Sequence, residues 1–127
     1  MKIYGIGTDI TNIERIKESL ENKEFISRLF NKNEIEKCNK QTNKANCYAK
    51  RFAAKEAFSK ALGIGISKGI NFREIIVHNK KSGKPNIKLT GNTKKIVFKL
   101  IKKKKINIFL SLSDDKPFAT AIVIISV

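Results

Sequence analysis

From Ala45 to Leu62 the chain contains neither glycine nor proline, is rich in alanine and lysine, and runs straight into Gly63. Such a stretch is predicted to be one long helix closed by a left-handed glycine cap. At about 100° per residue, Ala49, Phe52, Ala53, Glu56 and Lys60 fall on one face of it. A carboxylate set among apolar side chains loses its hydration when that face packs, and then needs a cation or a shift in protonation. Two readings of Glu56 stay open: a metal ligand, or an i,i+4 partner of Lys60 on a solvated face.

The rest of the chain supplies a sheet around this helix. Residues 2–10 alternate as a strand, with Tyr4, Ile6, Thr8 and Ile10 on one face and Ile3, Gly5, Gly7 and Asp9 on the other. Thr11 and Glu14 are spaced as a capping box for a short helix over 13–20, whose stripe is Ile13, Ile16 and Leu20. Residues 24–38 read as irregular to helical, with Phe25, Leu29 and Phe30 as core and Asn33 as a cap. After a loop over 63–69, strands are expected at 70–78 and 86–90, a helix at 92–101, and closing strands at 106–113 and 118–127. This order predicts one α+β domain over 1–127, its helices packed on one face of a largely antiparallel sheet.

Composition narrows the class. With 41% hydrophobic residues in 127, the chain is long enough to bury a core without cross-links. Cys38 and Cys47 have no histidine or further cysteine at metal-site spacing, and two thiols do not make a disulfide framework, so a reducing cytoplasm is expected. Glu14 precedes any long apolar run, which argues against a signal peptide or a membrane span, so the whole chain is expected to be the mature one. Net charge is +16 and the isoelectric point about 10.0. That field would attract nucleic acid, a very acidic protein or an anionic nucleotide alike. Lysine far outnumbers arginine and is spread along the chain, which reads as compositional drift more than as a contact patch.

Asp9 is the natural companion of Glu56, since a strand-end carboxylate behind Gly5 and Gly7 leaves room for a phosphate and a hydrated ion. Mg²⁺ takes one or two protein carboxylates and fills its octahedron with waters and phosphate oxygens. The other reading of Asp9, a cap or turn acid before the first helix, stays open. Lys55, Ser59 and Lys60 add charge and a hydroxyl where a pyrophosphate would lie. His78, the single histidine, has no acid or cysteine at ligand spacing and is given no role.

Two segments are more specific. Gly5-Ile6-Gly7-Thr8-Asp9-Ile10, followed by Arg15-Ile16, resembles the opening motif of holo-acyl-carrier-protein synthases. Arg51-Phe52-Ala53-Ala54-Lys55-Glu56-Ala57-Phe58-Ser59-Lys60-Ala61-Leu62-Gly63 is similar, nearly residue for residue, to the signature of 4′-phosphopantetheinyl transferases, and Gly83-Lys84-Pro85 and the final strand pair also match. The resemblance covers essentially the whole chain, at the length of the short bacterial type.

It implies the phosphopantetheinyl transferase fold and transfer of the 4′-phosphopantetheine group from coenzyme A to a serine of apo acyl carrier protein, for fatty acid biosynthesis. Asp9 and Glu56 would hold Mg²⁺, and Lys60, with Lys55, would neutralise phosphate charge. Arg51, Lys55, Ser59, Lys60, Gly63, Gly65, Lys84 and Pro85 are the implied coenzyme contacts, and Arg15 and Arg28 the implied surface for the acidic carrier. The family's short chains form trimers with the site between neighbours. Three positions depart from the commoner pattern: Ile64 for threonine, Lys80 for an acid, and Asp114 for a histidine after Ser111-Leu112-Ser113. These touch coenzyme contacts and leave Asp9, Glu56 and Lys60 in place. The rival classes are a small basic nucleic-acid-binding protein, which leaves Glu56 unexplained, and a Mg²⁺-dependent phosphatase or nuclease.

Overall fold

A computed structural model describes residues 1–64 and 68–127. Strand β1 (Ile3–Asn12) leads into three short helices, α1 (Ile13–Ser19), α2 (Lys23–Leu29) and α3 (Lys32–Asn39), and then into α4 (Lys44–Leu62). A 3-10 turn (Phe72–Glu74) precedes the hairpin of β2 (Ile75–Asn79) and β3 (Pro85–Leu89); α5 (Gly91–Ile101) and a closing hairpin of β4 (Asn107–Asp115) and β5 (Phe118–Ser126) follow. The strands form two antiparallel sheets, one of order β1-β5-β4 and one of β2-β3.

The expected α+β architecture holds, and α4 is its axis. Ala53, Ala57, Phe58 and Ala61 of α4 pack with Val123 and Ile125 of β5, Ile75 and Val77 of β2, and Val97 of α5 in one core. A second cluster joins Ile13 and Ile16 of α1 to Phe30, Tyr48 and Ala49. Burying one such phenylalanine or isoleucine contributes about 1.5–3 kcal/mol. Gly63 closes α4 in the left-handed region, at φ 78°, as its sequence position predicts.

Four local expectations are corrected. The cap of α1 is Asn12, whose side chain accepts from the N–H groups of Glu14 and Arg15, while Thr11 turns to Asp9. The cap of α3 is Asn31 rather than Asn33, in a reciprocal capping box with Glu34. Residues 70–74 are not strand: the chain makes the 3-10 turn there, because Asn71 accepts from Arg73 N–H through its side chain and diverts the backbone. Cys38 and Cys47 are joined in a disulfide, with Cα atoms 5.4 Å apart. The turn between α3 and α4 folds the two helix ends against each other, and spacing alone did not reveal that approach.

Among the described residues, nothing covers the other face of the three-stranded sheet. Ile6 and Ile10 of β1, Ile122 and Phe118 of β5 and Phe109 of β4 are all exposed there, side by side in the strand register.

Candidate active site

The site is built on the contact between β1 and α4. A Cβ placed on Gly5 would overlap the Ala61 carbonyl oxygen, and one on Gly7 would overlap that of Ala57. Only bare backbone lets a helix lie so close to a strand. The two glycines therefore clear space for α4 rather than for a phosphate, which corrects the role expected of them. Their effect on the site is indirect: Asp9, two residues further along the same strand face, meets the face of α4 that carries Glu56 and Lys60.

Asp9 is held on both sides. Its Oδ1 accepts from Lys60 Nζ at 3.2 Å, and its Oδ2 from Thr11 Oγ1 at 2.7 Å. Lys60 Nζ also donates to the Thr8 carbonyl at 3.0 Å, which fixes the ammonium over the end of β1 while leaving the side chain about half exposed. The ion pair of Lys60 is thus with Asp9 across the strand, not the i,i+4 pair with Glu56. Glu56 is half-buried. Burial first, and the Asp9 carboxylate second, push it above the usual carboxylate range, with Lys60 drawing it partly back. A half-buried carboxylate whose ionisation its neighbour Asp9 opposes, with the Lys60 cation beside them, forms with Asp9 a donor pair that a divalent ion would relieve. Among the described residues no three histidine, cysteine or acidic side chains cluster, so a hard cation here would complete its shell with water and phosphate oxygens.

The other implied contacts lie elsewhere on α4. Lys55 is wholly buried: its ammonium donates to Glu34 Oε1 at 2.7 Å and to the carbonyls of Phe72 at 2.7 Å and Ile75 at 2.8 Å. Burial pushes it down to about 8, against the pull of Glu34. With its donors spent inside the protein it cannot meet a phosphate at the surface, so Lys55 is a core residue that ties α4 to α3 and to the turn before β2. Ser59 is buried as well, its hydroxyl without a partner among the described residues. Residues 51, 55 and 59 form one stripe of the helix, and 56 and 60 another. Adjacency in sequence had suggested a single cluster, and helical geometry divides it.

Arg51 is buried with its Nη1 against Cys47, 3.1 Å from the sulfur and 3.4 Å from the carbonyl oxygen, and its Nε has no partner among the described residues. It lines a cavity of about 610 Å³ together with Lys37, Lys50 and Lys80. Lys80, Lys84 and Pro85 line a neighbouring cleft of about 320 Å³ between β3 and β4. Asp114 is held below the usual carboxylate range chiefly by the Asn46 amide, at 3.1 Å, and also by Lys50, at 3.3 Å. Gly65 lies outside the described residues. Arg15 on α1 and Arg28 on α2 are both exposed. Glu34, Lys37 and Lys50 were not singled out from the sequence; for Glu34 the three-residue spacing from Asn31 was the available signal.

The chain matches the model of the 4′-phosphopantetheinyl transferase superfamily over residues 5–123. It is 51% identical to the holo-[acyl-carrier-protein] synthase of Pelagibacter ubique over 125 residues, 98% of each chain. Among solved structures, the holo-[acyl-carrier-protein] synthase of Neisseria meningitidis superposes with a TM-score of 0.84 at 33% identity, covering 98% of this chain and 99% of that one. The Bacillus anthracis holo-(acyl-carrier-protein) synthase in complex with CoA (3′,5′-ADP) does so at 0.79 and 35%, covering 98% and 97%. The two glycines against α4, the carboxylate pair and this full-length similarity agree: the chain belongs to the 4′-phosphopantetheinyl transferase superfamily, among its holo-acyl-carrier-protein synthases.

Proposed function

We propose that this enzyme transfers the 4′-phosphopantetheine group of coenzyme A to a serine of apo acyl carrier protein, with Mg²⁺, releasing 3′,5′-ADP. The observation that carries the reading is the Asp9, Glu56 and Lys60 cluster, in which Glu56 is raised by burial and by Asp9. The serine oxygen forms a bond to the β-phosphorus as the bridging bond to the α-phosphate breaks, and 3′,5′-ADP departs with the electron pair. Such transfers depend on positioning and on charge stabilisation. Asp9 and Glu56 would hold the metal, which when bound supplies charge neutralisation at the pyrophosphate. Lys60, half exposed and anchored at Thr8 and Asp9, would neutralise oxygens of the leaving nucleotide. Glu56, held above the usual carboxylate range by burial and by Asp9, would take the serine proton through a water.

The cavity of Lys37, Lys50, Arg51 and Lys80 has the charge for the coenzyme's nucleotide phosphates, and the cleft at Lys84 and Pro85 continues from it. Arg15 and Arg28 would meet the acidic carrier. The uncovered apolar face at Ile6, Ile10, Phe109, Phe118 and Ile122 supports assembly into a homotrimer with the site between neighbours. No described helix is long and apolar enough to cross a membrane, and a cytoplasmic role in fatty acid biosynthesis is the setting we propose. A nucleic-acid-binding role would use the charge but not the carboxylate pair; Phe30, Phe58 and Phe72 are core residues, and the exposed Phe109 and Phe118 share the uncovered apolar face with Ile6, Ile10 and Ile122.

Intact mass of apo acyl carrier protein, incubated with this chain, coenzyme A and Mg²⁺, tests the reading directly. A gain of one phosphopantetheine, lost with EDTA and lost in Asp9→Asn, is expected; no gain with several carrier proteins would refute it.

A further inference from the structure

The turn between α3 and α4 stands between two cavities. Gln41, Thr42 and Asn43 wall the cation-lined cavity of Arg51, while Thr42 and Asn43 also wall a cavity of about 800 Å³ that reaches Ile13 and Lys17 of α1. Residues 39–44 are all exposed, so this wall has little packing of its own. What holds it is at its ends. Tyr48 donates to Asn39 Oδ1 at 2.8 Å, Asn43 caps α4 through Asn46 N–H, and the Cys38–Cys47 bond closes the segment into a small ring. Cys47 is itself part of the cavity wall, and Arg51 Nη1 reaches its sulfur at 3.1 Å. The one covalent tie in the molecule thus sits where the wall and the buried cation of the cavity meet.

We propose that Cys38 and Cys47 form a redox latch on this cavity. With the bond closed, the turn and Arg51 are preorganised and the nucleotide phosphates bind tightly; with the bond open, the wall loosens and affinity falls. The inference rests on the proposed use of the cavity for coenzyme A. Opening requires a protein or small-molecule dithiol. One of its thiolates attacks Cys47 Sγ, because Cys47 is slightly exposed whereas Cys38 is wholly buried. The Sγ–Sγ bond breaks, Cys38 leaves as a thiolate and takes up a proton, and the second thiol of the reductant displaces Cys47. Two electrons and two protons reach the protein, and the reductant leaves as a disulfide. Disulfides in a reducing compartment are typically of this transient, sensing kind. Closing a short ring restricts the open ensemble, and preorganisation of a wall appears as affinity.

The test compares wild-type protein oxidised and reduced with dithiothreitol, using 3′,5′-ADP as the calorimetric probe and amide hydrogen exchange over residues 40–43 as a readout independent of any ligand. The oxidised form should lack alkylatable thiols, bind about fivefold or more tightly, at the lower end of usual site-to-site coupling, and exchange more slowly. Cys38→Ser should match the reduced form under both conditions. Two alkylatable thiols in oxidising buffer, or equal affinity in two forms that both bind, would overturn the latch. If neither form binds 3′,5′-ADP, the assignment of the cavity fails instead. The exchange comparison then decides the latch alone: faster exchange on reduction supports it, and no change overturns it.

Discussion

Replacing Lys55 by methionine separates a core role from a phosphate-binding one. The substitution keeps an unbranched stem, one atom shorter, and removes the ammonium, which leaves Glu34 buried at 2% exposure without its cation and strips a donor from the carbonyls of Phe72 and Ile75. Removing one partner of a buried pair costs about 3–5 kcal/mol, mostly as the penalty on the charge left behind. Against the total of about 5–15 kcal/mol usual for a domain, that is a loss of about a fifth or more. Urea denaturation at pH 7 should therefore show a much lower midpoint with little change in slope. Adding Glu34→Gln removes the stranded charge but keeps an acceptor oxygen for only one of two N–H groups, that of Asn31 on Oε1 at 3.0 Å or that of Val77 on Oε2 at 3.1 Å, and should recover about 1 kcal/mol. Below its melting range the Lys55→Met enzyme should keep its KM for coenzyme A. A variant as stable as wild type with a sharply raised KM would refute this placement and return Lys55 to the phosphate.

Glu56→Gln should abolish transfer and yet stabilise the metal-free protein. The folded pKa of Glu56 is raised, so its ionised form is disfavoured; the gain should be absent at low pH and appear as pH rises through the raised value. Solvent screening at this half-exposed position keeps it below about 1 kcal/mol in thermal melts, and added Mg²⁺ should stabilise wild type but not the variant. Gly7→Ala should cost about 3 kcal/mol or prevent folding, because its methyl group meets the Ala57 backbone rather than a side chain that can move; soluble protein with an unchanged melting temperature would refute the contact. Reversing charge in Arg15→Glu with Arg28→Glu should raise KM for the carrier at least tenfold at low salt and leave KM for coenzyme A unchanged, measured by the mass assay across carrier concentrations.

The local sequence was enough to determine the elements whose physics is local. α4 has no breaker between Ala45 and Leu62 and a glycine at its end, and β1, β4 and β5 alternate at period two, so their type follows from backbone propensity and patterning. The motifs around Asp9 and Glu56 likewise marked the two carboxylates, and the structure sets Asp9 against Lys60 and close enough to Glu56 to raise it.

What depends on packing was decided only in three dimensions. Gly5 and Gly7 read as room for a ligand until α4 was found filling that room. Lys55 read as a phosphate contact beside Glu56, but neighbours on a helix point about 100° apart. Its partners Glu34, Phe72 and Ile75 come from segments about 20 residues away on either side. The approach of Cys38 to Cys47 depends on how two helix ends meet, and the gathering of Lys37, Lys50, Arg51 and Lys80 around one cavity depends on where the β2–β3 hairpin docks. A sequence fixes local conformation because its energetics span three or four residues; which distant groups share a desolvated space is set by the packing of the whole chain.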